Sequence, residues 1–326
     1  MSLSILGTGS CLPALEVSNG DLSRVVDTSD EWIASRTGIR SRHILARGET
    51  LTGMAAEAGR RALENAGVSA DELDLILCAT IQGDYITPSL ANLVQGELGA
   101  RCPAFDLNAA CSGFMYGLDV AQAYIDAGKA RRVLLICAEH MSKVADWTDR
   151  STCVLFGDGA AAAVLEEGQG LRYIRVESLG RQWECLYAPA PRQRIPFDAE
   201  AGTADAGQKP GLHMNGQTVF KFAVSACVEG IQEALASLRL TADDIGHFLI
   251  HQANGRIVDA VRRGLGQGEE KFPLNITHTA NISGATIPCL LDELNRAGRL
   301  TKGETLVFAA AGAGLTTGIG VITWEK

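Results

Sequence analysis

The sequence predicts a layered α/β fold built from two related halves, residues 1–170 and 171–326. Three observations carry that expectation. Short apolar runs such as residues 75–79 and 133–138 alternate with helical stretches, the pattern of buried strands packed between helices. Residues 62–77 align without a gap with residues 234–249 at an offset of 172, and both read as helix end, turn and buried strand. Each half then closes on a glycine-rich turn that feeds a strand, at residues 156–165 and 311–322.

Along the chain, residues 106–117 set a lone cysteine, Cys111, where a short apolar strand passes into a helix. Its small neighbours Ala109, Ala110, Ser112 and Gly113 leave room for a substrate to approach the sulfur. The stretch 111–127 is interrupted by polar groups only at Ser112, Asp119, Gln122 and Asp126, so this helix belongs inside the protein. Its counterpart, residues 282–297, follows at an offset of 170 that sets Ala110-Cys111 opposite Ala280-Asn281. If the two helices lie side by side, their N-termini converge on one cavity and bring Cys111 and Asn281 together. Residues 181–214, with Pro189, Pro191, Pro196 and Pro210 and little periodicity, read as a lid beside that site. His251 directly follows the strand that matches residues 75–79, and a histidine there points into the crevice where α/β folds bind ligands.

Composition narrows the function. A 46% hydrophobic chain of 326 residues supports a substantial core, and a net charge of −9 argues against nucleic acid as the partner. Nine cysteines without a C-x-x-C pair indicate neither a disulfide framework nor a metal site, and fit a reducing cytoplasm. No stretch approaches the roughly 18 apolar residues of a membrane span.

A thiol at a helix start feels the positive end of the macrodipole and unpaired N–H groups, so Cys111 is expected as a thiolate. With a histidine and an asparagine as donors, such a nucleophile suits acyl chemistry on a thioester. The sulfur attacks the carbonyl and backbone N–H groups hold the oxyanion. His251 and Asn281 would hold a second thioester carbonyl as an enolate while a carboxylate departs as carbon dioxide, without a strong base.

Ala109-Ala-Cys111-Ser-Gly-Phe114, His251-Gln-Ala-Asn254 and Asn281 with the following Ser283-Gly-Ala-Thr-Ile-Pro288 resemble the active-site motifs of β-ketoacyl-acyl carrier protein synthase III, within the thiolase-like superfamily. The likeness spans essentially the whole chain. It begins at Gly7-Thr-Gly-Ser10 and includes Asp27-Thr-Ser-Asp-Glu-Trp-Ile33, Arg36-Thr-Gly-Ile-Arg40, Asp149-Arg150 and Phe156-Gly-Asp-Gly159. The resemblance implies a five-layered αβαβα fold, a homodimer, and coenzyme A thioesters as substrates with no resident cofactor. Cys111 would take an acyl group from an acyl-CoA and condense it with malonyl on acyl carrier protein, the initiating step of fatty acid synthesis. The oxyanion donors would be the N–H groups of Cys111 and Ala313. Trp32 and Arg150 would clasp the adenine end of coenzyme A, with Arg36, Gly216, Phe220 and Asn254 along the tunnel. Lys221, Arg256, Arg262 and Arg263 would meet the acidic carrier protein, and Thr87 and Phe156 would border the acyl pocket.

The chain also departs from the family. Thr87 stands where members that prefer acetyl commonly carry phenylalanine, which predicts a primer longer than acetyl. Ala311 and Ala313 replace a phenylalanine and a glycine typical of the family, and Leu315 and Thr317 replace two aromatics. These changes keep open a specialised synthase III-like enzyme of quinolone or polyketide type, with a different donor or acceptor. A thiolase would carry a second cysteine in its C-terminal glycine-rich loop, and Gly312-Ala-Gly314 has none. Relatives of hydroxymethylglutaryl-CoA synthase carry a glutamate where Ile81 stands. A papain-like hydrolase would not explain the duplicated halves, and a non-catalytic scaffold would tolerate loss of the thiol.

Overall fold

The computed structural model describes residues 2–190 and 211–326. In chain order its strands are β1 (Ser2–Cys11), β2 (Leu15–Ser18), β3 (Ser41–Ile44), β4 (Leu75–Ala79), β5 (Ala104–Leu107), β6 (Arg132–His140), β7 (Asp158–Gly168), β8 (Leu171–Ser178), β9 (Leu186–Tyr187), β10 (His213–Met214), β11 (His247–Ile250), β12 (Thr305–Gly312) and β13 (Thr316–Thr323). One sheet runs β1-β7-β6-β4-β5 and the other β8-β13-β12-β11.

The two sheets repeat the same pairings. From one edge each has two antiparallel pairs, β1/β7 with β7/β6 and β8/β13 with β13/β12, and then a parallel pair, β6/β4 or β12/β11. The chain crosses from one sheet to the other between Gly168 and Leu171. The match fails at one place: β5 has no partner strand in the second sheet among the described residues. There Pro273 cannot donate to a ladder, and the chain turns into the short helix Ile276–Thr279.

Apolar patterning sorts the helices into layers. Leu51–Ala66 and Leu90–Leu98 bury their apolar faces on one side of the first sheet, with Leu51, Met54, Leu63, Leu90 and Val94 packed on Ile76, Leu134 and Ile136. Gly216–Ser237 and Gly255–Gly264 cover the outer side of the second sheet through Ile231, Leu235, Val258 and Val261 against Phe248, Val307 and Val321. Between the sheets lie Gly113–Asp126 and Thr286–Arg296, joined in one core with Leu77, Leu135, Leu249 and Phe308. The rings of Phe114 and Phe308 meet edge-on there at 5.9 Å, so the core is continuous from the helix Gly113–Asp126 to the second sheet. The order helix, sheet, helix, sheet, helix is the five-layered arrangement that the resemblance implies.

Local signals set the helix ends. Thr50 caps Leu51–Ala66 by accepting the Gly53 N–H, and Gly67 ends it in the left-handed region at φ 69°. The Asp106 carboxylate accepts the N–H groups of Leu90 and Ala91, each at 2.7 Å, and so ties β5 to the next helix. Only the two flanks of the expected lid, residues 181–190 and 211–214, fall among the described residues. They pair as β9 and β10.

Candidate active site

Both turns that open the middle-layer helices share one unusual backbone position. Ala110, before Cys111, has φ 46°, and Ala280, before Asn281, has φ 55°. A left-handed φ is strained for a residue with a Cβ, and it persists where the surroundings fix it. Here it presents the next residue to a cavity of about 260 Å³ lined by Cys111, His251 and Asn281 together. The convergence expected from the duplicated sequence is therefore present.

Each of the three side chains is held by neighbours that leave one group free. Cys111 sits in the single turn Ala110–Ser112, where first-turn N–H groups lack helical acceptors. The glycine-rich end of β12 presses on this turn: a Cβ on Gly312 would come within 2.9 Å of the Cys111 nitrogen, so only glycine fits. That approach brings Ala313 to the cavity wall beside Cys111. His251 donates its backbone N–H to Ala309 at 2.8 Å, and its Nδ1 lies 2.6 Å from the Thr286 hydroxyl. The Gln252 N–H points at that same hydroxyl oxygen from 3.4 Å, which leaves the hydroxyl proton for Nδ1. This network assigns the ring proton to Nε2, facing the cavity. Asn281 accepts the Ser283 N–H on Oδ1 at 2.8 Å, which frees its Nδ2–H to donate.

The electrostatics correct one expectation. Burial pushes the Cys111 thiol up to about 12, the nearby Ser283 hydroxyl opposes this, and the Glu139 carboxylate adds to it. The resting sulfur is a thiol on this account, with desolvation of the anion the largest influence on it. Burial also holds His251 down to about 4, so the imidazole is neutral. A neutral ring with Nε2–H is a hydrogen-bond donor and a poor acceptor for a thiol proton.

The same cavity is lined by Trp32, Arg36, Gly216, Phe220 and Asn254. The guanidinium of Arg36 lies 4.5 Å from the Trp32 ring centroid and that of Arg150 lies 5.3 Å from it, giving a cationic aromatic cluster. Arg150 also donates to the Asp27 carbonyl at 2.8 Å. Asn254 caps Gly255–Gly264 through the Arg256 N–H at 2.9 Å. Phe156 lines the cavity, where the resemblance places it, together with Ile81, Met141, Leu186, Leu212 and Met214, which the sequence did not single out as pocket residues. Leu212 and Met214 lie in and beside β10, where nothing in the irregular stretch signals their inward position.

Two expected placements change. Thr87 is not on the cavity wall of its own chain: it is exposed beside Tyr85 and Ile86, on a segment outside both sheets. Arg262 is not free for a partner, since it pairs with Asp259 at 2.7 Å and donates to the Gln267 carbonyl at 3.1 Å. Lys221, Arg256 and Arg263 are exposed, with Arg263 held loosely to Asp259 at 3.1 Å and Arg256 donating to the Ser35 carbonyl at 2.8 Å.

Residues 105–179 match the family described as 3-oxoacyl-[acyl-carrier-protein] synthase III, and residues 235–324 match its C-terminal part. The β-ketoacyl-[acyl-carrier-protein] synthase III of Clostridium acetobutylicum is 42% identical over 328 residues, covering 100% of this chain and 99% of that one. Among solved structures, the 3-oxoacyl-[acyl-carrier-protein] synthase III of Aquifex aeolicus superposes with a TM-score of 0.91 at 39% identity, over 99% of this chain and 100% of that one. The priming β-ketosynthase of a polyketide biosynthetic pathway also reaches 0.91, at 36% identity, over 100% of this chain and 97% of that one. A cysteine, a histidine and an asparagine brought to one cavity by two copies of the same fold unit, together with full-length likeness at this level, have one conclusion: the chain belongs to the β-ketoacyl-[acyl-carrier-protein] synthase III family of condensing acyltransferases.

Proposed function

We propose that the protein takes an acyl group from an acyl-CoA onto Cys111 and condenses it with malonyl on acyl carrier protein, releasing carbon dioxide and a 3-oxoacyl product. One observation carries this reading: the cavity that holds Cys111, His251 and Asn281 is also lined by Trp32 and Arg36. The Trp32 cluster offers stacking and cationic contacts to the adenine and phosphates of coenzyme A. In the first half-reaction the sulfur attacks the thioester, and the N–H groups of Cys111 and Ala313 hold the oxyanion. In the second, His251 Nε2–H and Asn281 Nδ2–H hold the malonyl thioester carbonyl. As carbon dioxide leaves, the developing enolate oxygen gains charge between two fixed donors, and the carbanion attacks the acyl group on Cys111. The chain's own groups supply these roles, so the proposed reaction uses no resident cofactor.

The apolar wall of Ile81, Met141, Phe156, Leu212 and Met214 suits an acyl chain longer than acetyl. We place Lys221, Arg256 and Arg263 on the carrier-protein face, where exposed cations would meet an acidic partner. Tyr85 at 62% and Ile86 at 96% exposure make the Thr87 segment an apolar surface suited to a second copy in a homodimer. Nine free cysteines suit a reducing cytoplasm. Among the described residues no helix is long and apolar enough to cross a membrane.

Ala311 and Ala313 on the cavity wall favour a second reading, a specialised synthase with another donor or acceptor. The test is a panel of acetyl, branched, medium-chain and aromatic acyl-CoAs, read by intact mass at Cys111 and then by product with malonyl on carrier protein or on coenzyme A. Initiation of fatty acids predicts turnover with malonyl carrier protein; product only with a different acceptor would favour the specialised enzyme.

A further inference from the structure

Asn281 is placed by more than its own turn. Its backbone N–H donates to the Leu155 carbonyl at 2.9 Å and its carbonyl accepts the Gly157 N–H at 3.2 Å, so residues 155–157 of the first half grip it as a short parallel bridge at Phe156. The grip falls directly after Ala280, whose φ of 55° persists only where the surroundings fix it. Leu155, Phe156 and Asn281 all line the cavity. Whatever holds the gripping segment therefore sets where the Asn281 side chain stands.

Arg42, in β3, holds that segment. Its side chain is fully buried, and Nη2 donates to the Val154 carbonyl at 3.0 Å, one residue before Leu155. Nη1 donates to Asn19 Oδ1 at 2.8 Å and to the Val17 carbonyl at 3.3 Å. Asn19 is anchored in turn, its Nδ2 donating to Asp30 Oδ1 and to the Ile39 carbonyl, each at 2.8 Å. Packing closes the joint: a Cβ on Gly157 would lie 3.0 Å from the Arg42 Cβ and 2.7 Å from the Thr279 carbonyl, so only glycine fits between the arginine and the Asn281 turn. All three acceptors of the guanidinium are neutral, and among the described residues no carboxylate pairs with it. A cation buried without a counter-ion is a poor source of stability, and an apolar side chain of like volume often serves a fold as well. What a rigid planar fork supplies is direction, by fixing acceptors on two separate segments at once.

We infer that Arg42 is a positioning residue for condensation: by fixing the Val154 carbonyl it sets residues 155–157, and through their bridge it sets the Asn281 carboxamide that meets the malonyl thioester carbonyl. Arg42 touches no reacting atom. The Cys111 turn is held from β12 at Gly312, so acylation does not depend on this arginine in the same way. The inference rests on the reading of Asn281 as a donor in decarboxylative condensation.

The test uses the full-length protein and follows two rates by intact mass: acylation by an accepted acyl-CoA, and single-turnover condensation of the preformed acyl-enzyme with malonyl carrier protein. Arg42→Met is expected to slow condensation about 10–100-fold while acylation changes less than about threefold. Arg42→Lys, which keeps the charge and loses the fork, should fall between wild type and Arg42→Met. On an Asn281→Ala background Arg42→Met should slow condensation further by less than about twofold, because the group it places is gone. A wild-type condensation rate in Arg42→Met overturns the inference. So does a loss that is equal in acylation and condensation, or one repeated in full on Asn281→Ala, since an arginine that only supports the fold would give either. Should Arg42→Met fail to fold, Asn19→Ala decides: it leaves the arginine in place, removes one acceptor and is expected to slow condensation about fivefold with acylation unchanged, and a wild-type condensation rate in it overturns the inference. A wild-type acyl-enzyme that condenses with no malonyl thioester, on carrier protein or on coenzyme A, overturns the donor reading of Asn281 itself and this inference with it, before any variant is made.

Discussion

The Cys111 turn and the Asn281 turn stand at matching places in the two halves. Each follows an alanine at positive φ, each passes through a short turn into a middle-layer helix, and each faces the same cavity. Their neighbours differ in a telling way. At the end of β4 the first half has Ala79, and a Cβ on Gly113 would lie only 2.9 Å from the Ala79 methyl. At the matching place after β11 the second half has His251, beside Asn281 on the cavity wall. On the proposed reading, the first half supplies the nucleophile and the second supplies two neutral donors. The two turns are matched in place and not in detail: Gly113 has φ −53° where its counterpart Ser283 has φ 51°.

The largest effect should come from removing the first half's contribution. Cys111→Ala is expected to abolish the acyl adduct by intact mass and to lower overall turnover at least about 10⁴-fold. Loss of one donor from the second half, as His251→Ala or Asn281→Ala, should slow decarboxylative condensation by about 10²–10³-fold. Because burial holds His251 neutral down to about 4, its donor role should survive acidification. Condensation from a preformed acyl-enzyme should not fall between pH 7 and 5 through this residue, and a loss with a midpoint near 6.5 would contradict the neutral assignment. Thr286→Val removes the hydroxyl that orients the ring and should cost about tenfold in condensation, with Thr286→Ser restoring it. The smallest effects belong outside the duplicated core. Trp32→Ala should raise KM for acyl-CoA by up to about tenfold with kcat little changed, measured by steady-state kinetics.

Much of this arrangement was legible in the sequence, for reasons that differ between residues. The apolar runs of β4 and β6 and the gapless repeat disclosed two α/β units, and a further match at an offset of 170 set Cys111 opposite Asn281. Properties that depend on tertiary burial stayed hidden. Nothing local to Cys111 says that its sulfur is desolvated enough to remain a thiol, or that Glu139 is buried behind it. Thr87 lies exposed and away from its own chain's cavity, a placement that its position in the sequence does not disclose. Arg262 read as a free cation although Asp259, three residues earlier on the same helix, engages it. The second sheet lacks a fifth strand among the described residues, and Pro273 stands where that strand would begin.

Whether the two halves divide the reaction is tested most directly by a single-turnover measurement on Asn281→Ala and His251→Ala, following the acyl-Cys111 species by intact mass before and after malonyl carrier protein is added. Acyl-enzyme should form at close to the wild-type rate and then persist. Acylation lost as severely as condensation in both variants would mean that the two lobes act as one catalytic unit, and would contradict the division of labour drawn from the geometry.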